Sequence, residues 1–362
     1  MSGRLSTRMD KLPTMHPTRL IKPPYSTTLF LLLFAVTLLA ACSTNKAQPK
    51  VVIYASVDQV YAEPVLKRFE AQTGIKVLPI YDVEAAKTTG LVNRLLAEAD
   101  HPQADVYWSG EFAQTILLKQ NNILAAYQSP DARDIPANFK DPQGFWTGFG
   151  GRARILLINS DQLKPGEEPA SIYDLLDSRY PADRIGMAYP LFGTMATHAA
   201  ALYAQSGPEE ARAFFQSLAD HGIQIVDGNS VVKDRVAAGD WLFGLTDTDD
   251  ACQAIQRGAP VRVIFPDQGL GELGTLIVPN TVALIAAGPN PQQGQALVDY
   301  LLSLDVEDQL VQSGWSQFPL RPVKSSPQCY ADLNIQTMQV DLERVYLQTE
   351  TAKEDLSEVF LR

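Results

Sequence analysis

Three carboxylates, Asp247, Asp249 and Asp250, fall within four positions of the stretch "FGLTDTDDA" at 243–251. Clustered carboxylate oxygens suit a hard cation such as Fe³⁺, Mn²⁺, Mg²⁺ or Ca²⁺. Paired acids beside aromatic rings also suit an organic ammonium group, and Tyr54, Tyr81 and Trp108 are the rings in question. The plainer reading is a solvated turn in which Thr248 or Asp249 caps a helix and the neighbouring acids favour its dipole. That explains one carboxylate well and three less well.

A second segment has the opposite character. In "PLFGTMATHAA" a Gly-Thr pair opens a helix after a strand. Free amides of a first helical turn make an anion site there, with Gly193 and Thr194 as its centre and Met195 beside them. Asn229 and Ser230 in "DGNSVV" also open a helix, either as part of the anion site or simply as caps. Arg152 or Arg154 in "RARILLINS" offers a guanidinium fork to the same anion, and alternation puts the two on one face of a strand. His198, on the face of an Ala-rich helix, is expected to be packed rather than liganded.

The elements that must position these residues are α/β in pattern. The run "VVIYASV" (51–57) reads as a buried strand, "EPVLKRFEAQTG" (63–74) as a helix stopped by Gly74, and "IKVLPIYD" as a second strand. Strands and helices continue to alternate through "ADVYWSG", "RARILLINS", "RIGMAYP", "IQIVDG", "WLFGLTD" and "VPNTVALIAAG". In open α/β sheets ligands bind beyond the carboxyl ends of strands. Asp58, Tyr81 and Asp82, Ser109 to Glu111, Gly193-Thr194 and the aspartate cluster all follow strands, so they are expected to line one cleft between two domains.

The chain has 362 residues, 46% of them hydrophobic, a net charge of −11 and three cysteines. An acidic chain without a basic stripe argues against a nucleic-acid partner. The first 28 residues carry Arg4, Arg8, Lys11, Arg19 and Lys22 against Asp10 alone. The apolar run "LFLLLFAVTLLAAC" follows, short for a membrane span and right for a secretory signal. It ends in Leu39-Ala40-Ala41-Cys42, a lipobox-like pattern that predicts cleavage before Cys42, lipidation of its thiol, and a tether at 42–50. The protein is therefore expected outside the cytoplasm, membrane-anchored by lipid. Cys252 and Cys329 then remain, as a disulfide or as two buried thiols. Four histidines without zinc-ligand spacing, and no G-x-S-x-G or phosphate-binding loop with Lys, argue against an enzyme. A metal-dependent hydrolase is the least favoured reading.

The segments "VVIYASVDQVYAEPVLKRFEAQTGIKV", "NRLLAEADHPQADVYWSGEF", "YPLFGTMATHAAAL", "VDGNSVVKDRVAAGDWLFGLTDTDDA" and "VPNTVALIAAGPNPQQGQALVDYLLS" together resemble, in order, the ferric-iron-type solute-binding proteins of bacterial ABC importers. The resemblance spans 50–320. It implies a type II-like periplasmic-binding-protein fold, two doubly wound α/β lobes joined by crossing hinge strands, here "RARILLINS" and "LIVPNTVALI". Lobe one would be 48–152 plus 275–320, and lobe two 153–274 plus 321–362. It implies a monomeric receptor that closes on its solute and delivers it to an ABC permease and its ATPase, with no cofactor beyond the bound solute.

Ferric-binding members carry two adjacent tyrosines where this chain resembles them with Asp249 and Asp250. Glu111 takes the position resembling a further acidic ligand, and Asp58 or Tyr54 that of an N-terminal ligand. The implied metal set is Asp58, Glu111, Asp249 and Asp250, with phosphate or carbonate as a synergistic anion. The alternative solute is a phosphorylated or cationic organic molecule: an aminoalkylphosphonate, thiamine or a polyamine.

Overall fold

The computed structural model describes residues 48–82, 90–315, 318–330 and 334–360. The signal segment, Cys42 and most of the tether lie outside these residues. Among the described residues ten strands form one sheet in the order β2-β1-β3-β10-β5-β8-β6-β7, with β4 added on β10 and β9 on β5. They are β1 (Lys50–Ser56), β2 (Lys76–Tyr81), β3 (Val106–Ser109), β4 (Leu124–Ala125), β5 (Thr147–Asn159), β6 (Ile185–Ala188), β7 (Gln224–Val226), β8 (Phe243–Asp247), β9 (Val261–Ile264) and β10 (Ile277–Ile285). Ten α-helices accompany them: α1 (Gln59–Thr73), α2 (Gly90–Ala97), α3 (Ala113–Gln120), α4 (Gly193–Ser206), α5 (Pro208–His221), α6 (Asn229–Ala237), α7 (Thr248–Gln256), α8 (Pro291–Leu301), α9 (Leu304–Gln312) and α10 (Leu342–Phe360).

The first unit follows the sequence reading. β1 pairs in parallel with both β2 and β3. α1 closes on Gly74, whose φ of 70° is the left-handed geometry a helix stop uses. All nine residues of β10 are buried, as a strand covered on both faces requires. β10 nevertheless runs antiparallel to β3 and β5, so the sheet is mixed rather than doubly wound in parallel throughout.

The two halves of the sheet meet in β5. Its first half, Thr147 to Ala153, pairs with β10, and its second half, Arg154 to Asn159, pairs with β8 and β9. The chain returns at Leu276, whose carbonyl accepts the amide of Arg154 at 2.9 Å. This is the two-lobed α/β architecture expected from the resemblance, with β5 as the crossing strand. β5 starts five residues before the apolar run that announces it. Its opening "TGFGG" is loop-like in composition, but the glycines admit a close neighbour: a Cβ on Gly151 would lie 2.5 Å from the Val278 carbonyl oxygen.

Glu307 fastens this crossing from behind. The side chain is fully buried, accepts the amides of Gly150 (3.1 Å) and Leu320 (2.7 Å), and pairs with Arg321 Nε at 2.7 Å. The segment 291–314 forms two helices, α8 and α9. Ser303 breaks it and caps α9 through the Val306 amide at 3.4 Å. At the C-terminal end, α10 packs on α4 and α5 through Leu342, Val345, Ala352 and Leu356. Arg212–Glu358 (2.8 Å) and a Lys119–Glu343 pair flank it.

Candidate functional site

β8 delivers Asp247 at its carboxyl end, and α7 starts on the next residue. Asp247 occupies the N-cap position, which the turn reading gave to Thr248 or Asp249, and makes no side-chain cap. The carboxylate turns inward instead. Its Oδ1 accepts Arg154 Nη1 at 2.6 Å, and its Oδ2 accepts Asn229 Nδ2 at 2.9 Å and the Thr194 hydroxyl. Arg154 Nη1 also reaches Thr194 Oγ1 and Asn229 Oδ1, each at 3.2 Å. One buried network thus ties the crossing strand to β8 and to the starts of α4 and α6. Arg154 thus spends Nη1 on a carboxylate, while its Nη2 lies 3.1 Å from Met195 Sδ and its Nε is buried without a partner.

Asp249 and Asp250 lie in the first turn of α7. With Asp247 they bring one carboxylate oxygen each to within 4.8 Å of one another. Asp250 is contacted only weakly, by the Thr246 hydroxyl at 3.4 Å. Burial, then the charges of Asp249 and Asp247, push its carboxyl up to about 7. The Asp249 carboxyl is raised too, by burial and by Asp247 against the pull of Arg152. Its Oδ1 is buried without a hydrogen-bond partner. A compact group of carboxylates with an unmet acceptor is an arrangement that a cation relieves.

Arg152 stands between the halves of the sheet. Its Nη1 is 3.4 Å from Asp249 Oδ2, its Nη2 is 3.5 Å from the Gly110 carbonyl, and its charge acts on Glu111. Burial alone would lower the guanidinium; Asp249, Asp247, Glu111 and Asp250 together raise it. Glu111 follows β3, accepts the Gln114 amide at 3.3 Å, and is raised by burial. Glu111, Arg152, Asp247, Asp249 and Asp250 therefore form one electrostatic group.

α4 and α6 open on Phe192 and Gly228, and no side chain caps either. Gly193 is exposed with φ 57°, Asn229 turns its amide to Asp247 and Thr194 rather than capping, and Ser230 is exposed on the first turn of α6. His198 is buried, without a partner on either nitrogen, and pushed down to about 3 by burial and by Arg154. It is a packed neutral imidazole, as expected.

Two expected residues, Tyr54 and Tyr81, stand differently. Tyr54 is fully buried, donates to Glu98 Oε2 at 2.9 Å and lies under Arg94 at 4.8 Å, so its hydroxyl is committed away from the aspartates. The Tyr81 hydroxyl is buried without a hydrogen bond, and its charged neighbour is Glu63, not the cluster. Asp58 opens α1, with its carbonyl accepting the Tyr61 and Ala62 amides at 3.0 and 3.1 Å, and its carboxylate does not cap the helix. A cavity of about 860 Å³ lies elsewhere, between Tyr127, Lys140 and Trp146 and the start of α10 at Asp341 to Glu343. It holds none of the predicted site residues. Cys252 and Cys329 form a disulfide, with Cα atoms 5.3 Å apart.

Residues 101–335 match the family described as bacterial extracellular solute-binding protein. The chain belongs to that family. It is 23% identical over 313 residues to Iron uptake protein A1 of Synechocystis, covering 82% of this chain and 84% of that protein. It is 24% identical over 263 residues to a Salmonella typhi periplasmic protein provisionally named for 2-aminoethylphosphonate binding, covering 71% of this chain and 73% of that one. A Trichodesmium structure in complex with iron and citrate ligands superimposes with a TM-score of 0.75 at 20% identity, over 86% of this chain and 100% of that chain. That likeness establishes the shared fold. Among the described residues no helix is long and apolar enough to cross a membrane.

Proposed function

We propose that this protein is the receptor of an ABC importer that captures a hard metal ion with a synergistic anion and hands it to a permease and its ATPase. The observation that carries this reading is the carboxylate cluster at the start of α7, with its oxygens within 4.8 Å and Asp249 Oδ1 unmet. Asp249 and Asp250 hold the ion, and Glu111 and Asp58 join them from the other lobe. Asp247, already held by three donors, supplies negative charge from behind. Arg152 and the uncapped starts of α4 and α6, at Gly193-Thr194 and Asn229-Ser230, receive the anion. The iron-uptake name of the Synechocystis relative supports ferric iron as the metal.

In this reading the lobes are 48–152 plus 275–320 and 153–274 plus 321–362, hinged at β5. Cys42 carries the lipid that holds the exported protein at the membrane. The protein binds and releases its solute unchanged, as a monomer and not as an enzyme.

A second reading has one observation in its favour. Arg152 pairs with an acid cluster, so the site presents both charges at once. A zwitterion such as an aminoalkylphosphonate fits that, with phosphonate on Arg152 and ammonium on Asp249 and Asp250. Calorimetric titration of ligand-stripped protein separates the two. Heat with ferric citrate, strengthened by phosphate or carbonate, supports the metal. Heat with 2-aminoethylphosphonate alone transfers the site to the organic solute.

A further inference from the structure

A segment from near the C-terminus runs along α7 toward the acid cluster. Gln328 Oε1 accepts Gln256 Nε2 at 3.0 Å, Cys329 is bonded to Cys252, and the Tyr330 phenol is hydrogen-bonded to Thr248. Three consecutive residues thus meet helix positions 256, 252 and 248, each one turn apart on a single face. The disulfide is the middle of three clasps, and the last places a phenol at the N-terminus of α7. Tyr330 is half-buried there, with Asp249 as its charged neighbour and its ring edge-on to Phe265 at 5.3 Å.

Thr248 fixes the direction of that contact. Its Oγ1 accepts the backbone amide of Ala153 at 3.1 Å, between Arg152 and Arg154 on the crossing strand. Its own hydrogen is then free to go to the phenol oxygen. Tyr330 is held on α7 by Thr248 and by the neighbouring disulfide, and Asp249, whose Oδ1 is unmet, acts on its phenol through its charge.

We propose that Tyr330 is a further solute-binding residue, its phenol giving up its proton to solvent as the phenolate oxygen joins the metal held by Asp249 and Asp250, and that the Cys252–Cys329 disulfide is what positions it. This rests on the hard-metal reading above. Once ionised, a phenol oxygen is a hard anionic donor like the carboxylates and suits the same class of ion. It would return an aromatic oxygen to a site whose α7 start bears aspartates, from a different part of the chain.

The test is metal titration of the intact, disulfide-bonded protein with ferric citrate and phosphate, followed by calorimetry and by visible absorption. A phenol oxygen bound to ferric iron gives a charge-transfer band that carboxylates alone do not. Wild type is expected to show the band. Tyr330→Phe is expected to lose it and bind at least about tenfold more weakly, with its melting temperature checked to confirm folding. Cys252→Ser plus Cys329→Ser is expected to weaken the band with Tyr330 still present. Iron binding that depends on Asp249 and Asp250 but keeps its band and affinity in Tyr330→Phe would overturn the Tyr330 assignment and leave the site intact. Iron binding indifferent to Asp249→Asn plus Asp250→Asn, or no iron binding at all, would overturn the site reading and this inference with it.

Discussion

Arg154 and Asp247 form an ion pair shut away from solvent, with Nη1 2.6 Å from Oδ1 and the two side chains 0% and 3% exposed. The pair joins β5 to β8, 93 residues apart in sequence, directly behind the carboxylates that face the proposed solute. In the proposed site it gives Asp247 a supporting part behind the ligands. Removing one partner strands the other in the interior. Arg154→Met is therefore expected to cost about 3–5 kcal/mol of unfolding free energy, read by denaturant titration. A loss below about 1 kcal/mol would mean the network is not shielded as described.

The Asp250 carboxyl, pushed up to about 7, sets a pH dependence. Its unfolded value is about 3.9, so between those limits the folded protein holds a proton that the unfolded chain lacks. The stability that Asp250 contributes to the apo protein is then fullest below about pH 4 and declines as pH rises through 7. Asp267, pushed up to about 6 by burial, acts in the same direction. Melting of ligand-free protein across this range should show the decline, and Asp250→Asn should flatten most of it.

The same proton competes with the solute. Cation binding requires ionised Asp250, so affinity for a metal should rise with pH and level off above about 7, changing by about tenfold per unit below that when one proton is displaced. Titration in buffers of different ionisation heat would count the proton released. Release of none at pH 6 would remove Asp250 from the binding set.

Cys252 and Cys329 close a loop across a sequence separation of 77. Restriction of the unfolded chain makes such a bond worth about 4 kcal/mol. Melting under reducing conditions is expected to fall accordingly. An unchanged transition would mean the segment 328–330 is held on α7 without it.

Gly151 sits where β5 and β10 approach most closely. Gly151→Ala is expected to destabilise the fold by on the order of 1–3 kcal/mol, because the added Cβ meets backbone rather than a flexible side chain. Equilibrium unfolding would show it.

Much of this arrangement is legible along the chain because it is local. β1 and β3 follow from short β-branched and aromatic runs, and placing the aspartates between β8 and α7 follows from a strand handing over to a helix. What escapes such a reading is set by partners distant in sequence. The glycine-rich start of β5 is extended because β10 lies against it, not through its own propensity. Tyr54 has the right strand for the cleft, but its hydroxyl goes to Glu98, 44 residues on. The inward turn of Asp247 needs Arg154, and capping rules offer no hint of it. Tyr330 carries no motif of its own; the pairing of Cys252 with Cys329 is the one signal that leads to it.

The central claim is that Asp249 and Asp250 hold a cationic solute. Thermal melting of the ligand-stripped protein with ferric citrate and phosphate, for wild type beside Asp249→Asn plus Asp250→Asn, tests it most directly. Ligand at 100 times its dissociation constant adds about 2.7 kcal/mol, which a melt resolves readily. The account predicts a clear upward shift for wild type and none for a variant that still folds. An equal shift in both proteins, or none in wild type alongside a shift with 2-aminoethylphosphonate, would contradict it.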